Sequence, residues 1–442
     1  MSSAGNEGSA LAGRLSKAID SFALTDFDAD RSPVEPSKAY MSPARRRRRG
    51  FSSADFDGNA VLTLIDEEGA LRWNYQSPLV HTGSRRARRR ASQPIGATIV
   101  KEISFRETPP NQVGAALEEL DRKLTPNPGL RRLKDGKFVP ATGISVAGRT
   151  LLLVHGTFSK SEMFHDELSS LPQGQDFLRR AAKHYREILA FEHPTLSVSP
   201  WINALDLELA LEKVTGTIDV VCHSRGGLVV AWWLRNARRS VGRVVFVGSP
   251  LEGTSLASPA SLRSALDGMA NVFKGLEVAG MAASTVVPFV GVVAGLARIL
   301  GGILRIGAHT PLADAAVAIV PGLAAQSRVG NNSELDRLNR AAWISTPDVY
   351  AVLSNFKPSD GDARWWQVWK LLSTERVLNW GAERIFNAEN DLVVDTQSMT
   401  RLCGVSLDAG KLHDFKTSSS VHHCNYFSQP ETIALLNRAL AI

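Results

Sequence analysis

From about Val146 to the end of the chain, continuous apolar runs alternate with stretches whose apolar residues recur at helical spacing. That alternation predicts an α/β fold, with a mostly parallel sheet covered on both faces by helices. "RTLLLVHG" is the first such run. It ends at His155 and Gly156, and it lacks the polar alternation of a half-exposed strand. "FLRRAAKHYREIL" is predicted helical, "AFEHPTLSVSP" extended, and "NALDLELALEKV" helical again. "GRVVFVGSP" and "PDVYAVLSNF" read as further buried strands. "SQPETIALLNRAL" reads as a closing helix, started by a capping box between Ser428 and Glu431.

The first third of the chain has a different texture. Residues 1–50 are rich in Ser, Ala, Asp, Pro and Arg, a composition expected to stay largely disordered. "NAVLTLIDEEGALRWNYQ" predicts a small hairpin turning around Glu67 to Gly69, and a basic linker follows. "ATIVKEISFRE" reads as a strand and "NQVGAALEELDRKL" as a helix. The expected organisation is a basic region over 1–95, a strand–helix lead-in over 96–145 and the α/β domain over 146–442.

An insertion from about Leu251 to Arg340 interrupts that domain. Its centre, Val278 to Ala297, is uncharged and long enough to span a bilayer. Pro288, Gly280, Gly291 and Gly295 oppose one straight helix there, and a span would split a sheet between two of its strands. A cap of short apolar helices over the site is therefore expected.

Composition narrows the setting. With 442 residues and 44% hydrophobic content, the chain can bury one large core and a smaller one. The net charge is +7, and residues 1–100 hold 15 Lys/Arg against 11 Asp/Glu, so the excess is concentrated there, in Arg45 to Arg49 and Arg85 to Arg90. Clustered arginines hold phosphate without base specificity, so an anionic membrane surface is a candidate partner of this region or of the cap. A solvated tail and a protein partner stay open beside it. No aromatics interleave the arginines, so nucleic acid is not expected. Three cysteines, Cys222, Cys403 and Cys424, imply no disulfide framework and point to a reducing compartment. The first twenty residues lack the apolar core of a signal peptide, and a cytoplasmic location is expected.

Candidate chemistry centres on "VVCHSRGG", Val220 to Gly227. A β-branched run ends in Ser224, two glycines follow, and a helical apolar segment begins. A strand–turn–helix with a serine at its corner needs small residues two before and two after it. Here they are Cys222 and Gly226, cysteine standing where glycine is usual. Serine becomes a nucleophile only when a base takes its proton, and that base is oriented by a carboxylate. Downstream, "NAENDLVVD" offers Asp391 with Glu389 and Asp395 as rivals, and "SSSVHHCNYF" offers His422 and His423. The oxyanion formed on attack needs backbone N–H donors. Arg225 follows the serine, and Thr157 lies in "HGTFS" after the first apolar strand. His155 and His223 are read as structural, and His193 has no partner pattern. Adjacent ligands do not suit structural zinc, so no metal is expected at His422, His423 and Cys424.

"LLVHGTFS", "VVCHSRGG", "VGSPLEGT", "VPGLAAQS", "NDLVV" and "HHCNYF" occur here in the order found in lipase-like α/β-hydrolases, and residues 146–442 resemble a bacterial branch of that superfamily. The resemblance implies an α/β-hydrolase fold with Asp391 as the acid and His423 as the base. It implies hydrolysis of a small-molecule or lipid carboxylic ester through an acyl-enzyme on Ser224, without a cofactor. Two other functions stay open: a catalytically silent binding or scaffold protein, and an acyltransferase using the same residues.

Overall fold

A computed structural model describes residues 59–67, 70–76, 97–106, 112–257, 320–328, 332–340, 347–357, 389–402 and 405–442, together with 270, 292–296 and 299. The arginine runs, residues 1–50 and most of the expected cap, including most of Val278 to Ala297, lie outside the described residues. Among the described residues no helix is long and apolar enough to cross a membrane. The chain divides into two units, Met1–Ala116 with Ser261–Ala316, and Leu117–Ala260 with Val317–Ile442.

In the first unit, β1 (Asn59–Glu67) and β2 (Ala70–Gln76) form an antiparallel hairpin. β3 (Ala97–Arg106) joins the other side of β1, giving the order β2-β1-β3. Leu62, Leu64, Leu71 and Trp73 are buried on one face, and Thr63, which points the other way from β1, is buried as well.

The second unit is built on an eight-stranded sheet, and it begins before Val146. Within the expected lead-in, β4 (Gly129–Lys134) and β5 (Lys137–Pro140) form a hairpin at one sheet edge. Its two-residue turn is Asp135-Gly136, both at positive φ (50° and 75°). Asp-Gly is the favoured pair for such a turn, a signal outweighed in the sequence by the neighbouring charges. β6 (Val146–Ala147) and β9 (Val214–Thr215) form a small separate pair. The remaining strands of the main sheet are β7 (Thr150–Val154), β8 (Glu187–Glu192), β10 (Ile218–His223), β11 (Val241–Val247), β12 (Asp348–Phe356) and, after the two-residue pair β13 (Arg401–Leu402) and β14 (Val405–Ser406), β15 (Leu412–Ser418). The order is β15-β12-β11-β10-β7-β8-β4-β5, and every pairing from β8 to β15 is parallel.

The helices are α1 (Val113–Leu124), α2 (Glu162–Ser169), α3 (Pro172–His184), α4 (Pro200–Ala210), α5 (Gly226–Leu234), α6 (Pro321–Ala324), α7 (Ser333–Arg340) and α8 (Pro430–Leu440). Leu152, Val154, Val220, Cys222, Val244 and Phe246 point to one sheet face, where α4 and α5 pack. Leu151, Leu153, Val221, Val245 and Val247 point to the other, against α2, α3 and α8. Burial on both faces is why these strands read as unbroken apolar runs. This arrangement is the α/β-hydrolase fold.

Two local expectations are corrected. The helix through "FLRRAAKHYREIL" stops at His184, and Glu187–Glu192 is a strand. Pairing of β8 with both β7 and β4 outweighs the helical spacing of Ile188 and Leu189. The capping box at Ser428 does not form. Gln429 is the N-cap of α8 with no side-chain bond, and Pro430 occupies the first turn, where its missing N–H costs nothing.

The sheet also sets where a site can lie. After β7 the chain adds β8 on one side, then returns to add β10 on the other. The carboxyl ends of β7 and β10 thus flank a point where the strand order reverses, and crevices in open α/β sheets form there. His155, Gly156 and Thr157 leave the end of β7, and Ser224 leaves the end of β10.

Candidate active site

Ser224 occupies the corner between β10 and α5 with φ 53°, a left-handed conformation that serine seldom adopts. The corner is pinned on both sides. Ser224 donates its N–H to Val247 O at 2.9 Å, and Gly227 donates to Ser224 O at 2.9 Å. Cys222, in the place usual for glycine, is fully buried beside the α5 face, with Sγ 3.5 Å from Val245 O. Burial pushes its thiol up, so it is inert packing. Phe158 in the loop after β7 (φ 59°) and Leu392 in the acidic turn (φ 86°) are also at positive φ. Such conformations persist where the surroundings over-determine them, and here they cluster around one serine.

His423 lies in the loop between β15 and α8. Its Nε2 is 2.9 Å from Ser224 Oγ and its Nδ1 is 2.8 Å from Asp391 Oδ2. All three side chains are almost fully buried. The Asp391 turn binds the loop through backbone as well, since His423 N–H donates to Asp391 O at 3.0 Å. His423 O in turn accepts from His223 Nε2 at 2.9 Å. His223 is thus a clamp between the serine corner and the histidine loop as well as packing. Burial, with His423 alongside, lowers it to about 3, so it works as a neutral donor.

The rivals go elsewhere. Asp395 accepts from Ser255 N–H at 2.8 Å and Ser255 Oγ at 2.9 Å. Glu389 is exposed. The imidazole of His422 packs edge-on against Phe356, its Nδ1 accepting from Cys424 N–H at 3.3 Å, and burial lowers it to about 4.

Thr157 is the third residue beyond β7, one step from Gly156, which lies directly against Ser224. A Cβ on Gly156 would be 2.6 Å from Ser224 Cβ. Thr157 Oγ1 is held by Gln326 Nε2 at 3.0 Å, which places the "VPGLAAQS" motif against this loop. The loop is also stapled by Glu192, whose Oε2 accepts from Ser161 N–H and Oγ and whose Oε1 lies 3.2 Å from His155 Nε2. Burial alone would raise the Glu192 carboxyl. His155 and Ser161 outweigh it and hold the group near 2. His193, stacked on His155 with centroids 4.2 Å apart, belongs to the same buried network. Arg225 caps α5, and its side chain turns away from Ser224 to Val198 O and Asn203 Oδ1. Its guanidinium is therefore a tie to the loop before α4.

Two residues around the site carry no sequence signal. Asp121 on α1 accepts the N–H groups of Thr195, Leu196 and Ser197. Glu167 on α2 accepts from Phe427 N–H at 3.2 Å, beside the His423 loop. Burial pushes the Glu167 carboxyl up to about 8. A carboxyl protonated in the folded state and ionised in the unfolded one makes stability fall as pH rises between those two midpoints. Between the ordinary carboxylate range and about pH 8, Glu167 should cost up to about 1.4 kcal/mol per pH unit, and Glu167→Gln should remove that slope. Urea unfolding of both proteins at pH 5 and pH 8 measures it, and parallel slopes would refute the assignment.

Residues 130–441 match the model of one protein family, described as a domain of unknown function (DUF7379). No curated protein matches the sequence. Among solved structures, the lipase BlEst2 of Bacillus licheniformis in its mature form is similar with a TM-score of 0.40 and 15% identity, over 70% of this chain and 100% of that one. A hydrolase from Oleispira antarctica matches with a TM-score of 0.35 and 11% identity, over 67% and 93%. The carboxylesterase CesB of Bacillus subtilis matches with a TM-score of 0.32 and 11% identity, over 74% and 98%.

Proposed function

Because the chain belongs to the DUF7379 family, whose description names no reaction, its activity has to be read from its own side chains, and we propose that it is a serine hydrolase cleaving carboxylic esters. One observation carries the reading: Ser224 Oγ, His423 and Asp391 form a continuous hydrogen-bonded series at 2.9 and 2.8 Å.

In that reaction His423 Nε2 takes the proton of Ser224 as Oγ attacks the acyl carbon. Asp391, held by two backbone N–H groups, keeps the imidazole in the tautomer with Nδ1–H and stabilises the imidazolium. The N–H groups of Arg225 and Thr157 receive the oxyanion, the first of them at a helix N-terminus where negative charge is favoured. The alcohol leaves with the proton from His423. A water activated by the same nitrogen then releases the acid and restores Ser224. The substrate class this reading implies is a small-molecule or lipid ester with an apolar acyl group.

A fluorophosphonate probe tests the nucleophile without knowledge of the substrate. Mapping of the labelled protein should find the phosphonate on Ser224. p-Nitrophenyl esters of increasing acyl length should give a burst of about one equivalent before steady turnover. Labelling elsewhere, or none, would overturn the proposal.

A further inference from the structure

Asp391 holds more donors than its histidine requires. Oδ1 accepts the N–H groups of Val393 and Val394, at 3.1 and 2.8 Å. Oδ2 accepts from His423 Nδ1 and also from the hydroxyl of Tyr426, at 2.9 Å. Tyr426 is fully buried and begins the 3₁₀ turn Tyr426–Ser428, three residues beyond His423. A phenylalanine would fill that space equally well, so the hydroxyl is there for the oxygen it meets.

We propose that Tyr426 is a positioning residue that fixes the Asp391 carboxylate and, by sharing Oδ2 with His423, withdraws charge from the oxygen facing the imidazole. The proposal rests on the serine hydrolase reading for its consequence in turnover, not for its geometry. Among the described residues, the groups facing His423 are few. His223 approaches from β10 with ring centroids 4.8 Å apart, and His422 precedes it on the same loop. Both are kept neutral through the working range, chiefly by burial. Among the described residues, Asp391 is therefore the carboxyl group the imidazole meets. Asp414 on β15 acts on the Tyr426 phenol. Burial and Asp391 hold that phenol well above its ordinary range, so its proton is present at every pH of interest.

The sign follows from electrostatics. Removing the O–H leaves more negative charge on Oδ2, which favours the imidazolium and requires a higher pH to free the base. In Tyr426→Phe the acidic limb of the kcat/KM profile should move up by ~0.5–1 pH unit, with a several-fold loss of kcat from the looser carboxylate. Site-specific 3-fluorotyrosine at 426, a stronger donor of nearly the same size, should move the limb down. Two readouts run beside ester hydrolysis: the pH dependence of fluorophosphonate labelling, and ¹⁵N titration of the His423 imidazole.

Opposite shifts in the two variants would support the proposal. Coincident titrations in all three proteins would overturn it, as would a loss of kcat with no shift, which is what a packing role alone would give. The imidazole titration separates this failure from that of the parent reading. Absence of labelling at Ser224 would remove the hydrolase, yet the titration would still report whether the Tyr426 hydroxyl tunes His423.

Discussion

Ser224→Ala is expected to lower kcat for p-nitrophenyl ester hydrolysis by about 10⁴- to 10⁶-fold while leaving the melting temperature close to that of the parent protein. The proposed nucleophile is lost, and the replacement deletes one oxygen from a corner whose backbone bonds, Ser224 N to Val247 O and Gly227 N to Ser224 O, do not involve the side chain. His423→Ala should fall into the same range, and the double variant should be no worse than either single one. In the proposed reaction the two groups act on one proton, so their losses should not add. His422→Ala provides the contrast. It removes a ring packed on Phe356 and an acceptor for Cys424 N–H. The expected cost is about 1–2 kcal/mol of stability, with kcat within about tenfold. Steady-state kinetics and thermal melts on the four proteins decide between the histidines. A His422 loss as deep as the His423 loss would refute the assignment of the base.

The adjacent histidines mark the limit of what the chain reveals on its own. Residue types and order single out "HH" ahead of the last helix, but which ring reaches Ser224 depends on the loop geometry set by Asp391 O, which binds His423 N–H, and by His223. The corner at Ser224 is legible because its demands are local: a buried strand, a tight turn and small flanking residues. The β4–β5 hairpin is legible only through Asp135-Gly136, since an edge strand such as "GLRRLK" carries too many charges to register as apolar. Glu192, Glu167 and Asp121 cannot be found by pattern. Each is a lone acid whose partners, Ser161, Phe427 and Thr195 to Ser197, are brought to it by the fold. Tyr426 lies between these cases. "HHCNYF" shows it close to the histidine, but that its hydroxyl reaches Asp391 is a fact of the turn.

The corner that carries Ser224 should be highly sensitive at Gly226. A Cβ there would be 2.3 Å from Val154 O and 2.6 Å from His155 O, inside the 3.0 Å that such contacts essentially never breach. Both obstacles are backbone, the last residue of β7 and the one after it, and β7 is a central strand paired with β8 and β10, so no rotamer change can relieve them. Either α5 must lift from the sheet, taking the Ser224 corner with it, or the end of β7 must move, taking Gly156 and Thr157. Alanine would gain at most about 1 kcal/mol of helix propensity at this first position of α5. Overpacking against fixed backbone costs about 3 kcal/mol or more, so the net effect is destabilising. Gly226→Ala should therefore melt several degrees lower, and its fluorophosphonate labelling should fall at temperatures where it is still folded. Gly114 on α1 is the control, because a Cβ there meets nothing within 4 Å. Gly114→Ala should leave the melting temperature unchanged or raise it slightly. If Gly226→Ala melts like Gly114→Ala, then α5 does not approach β7 this closely, and the corner is held by something other than the absent side chain.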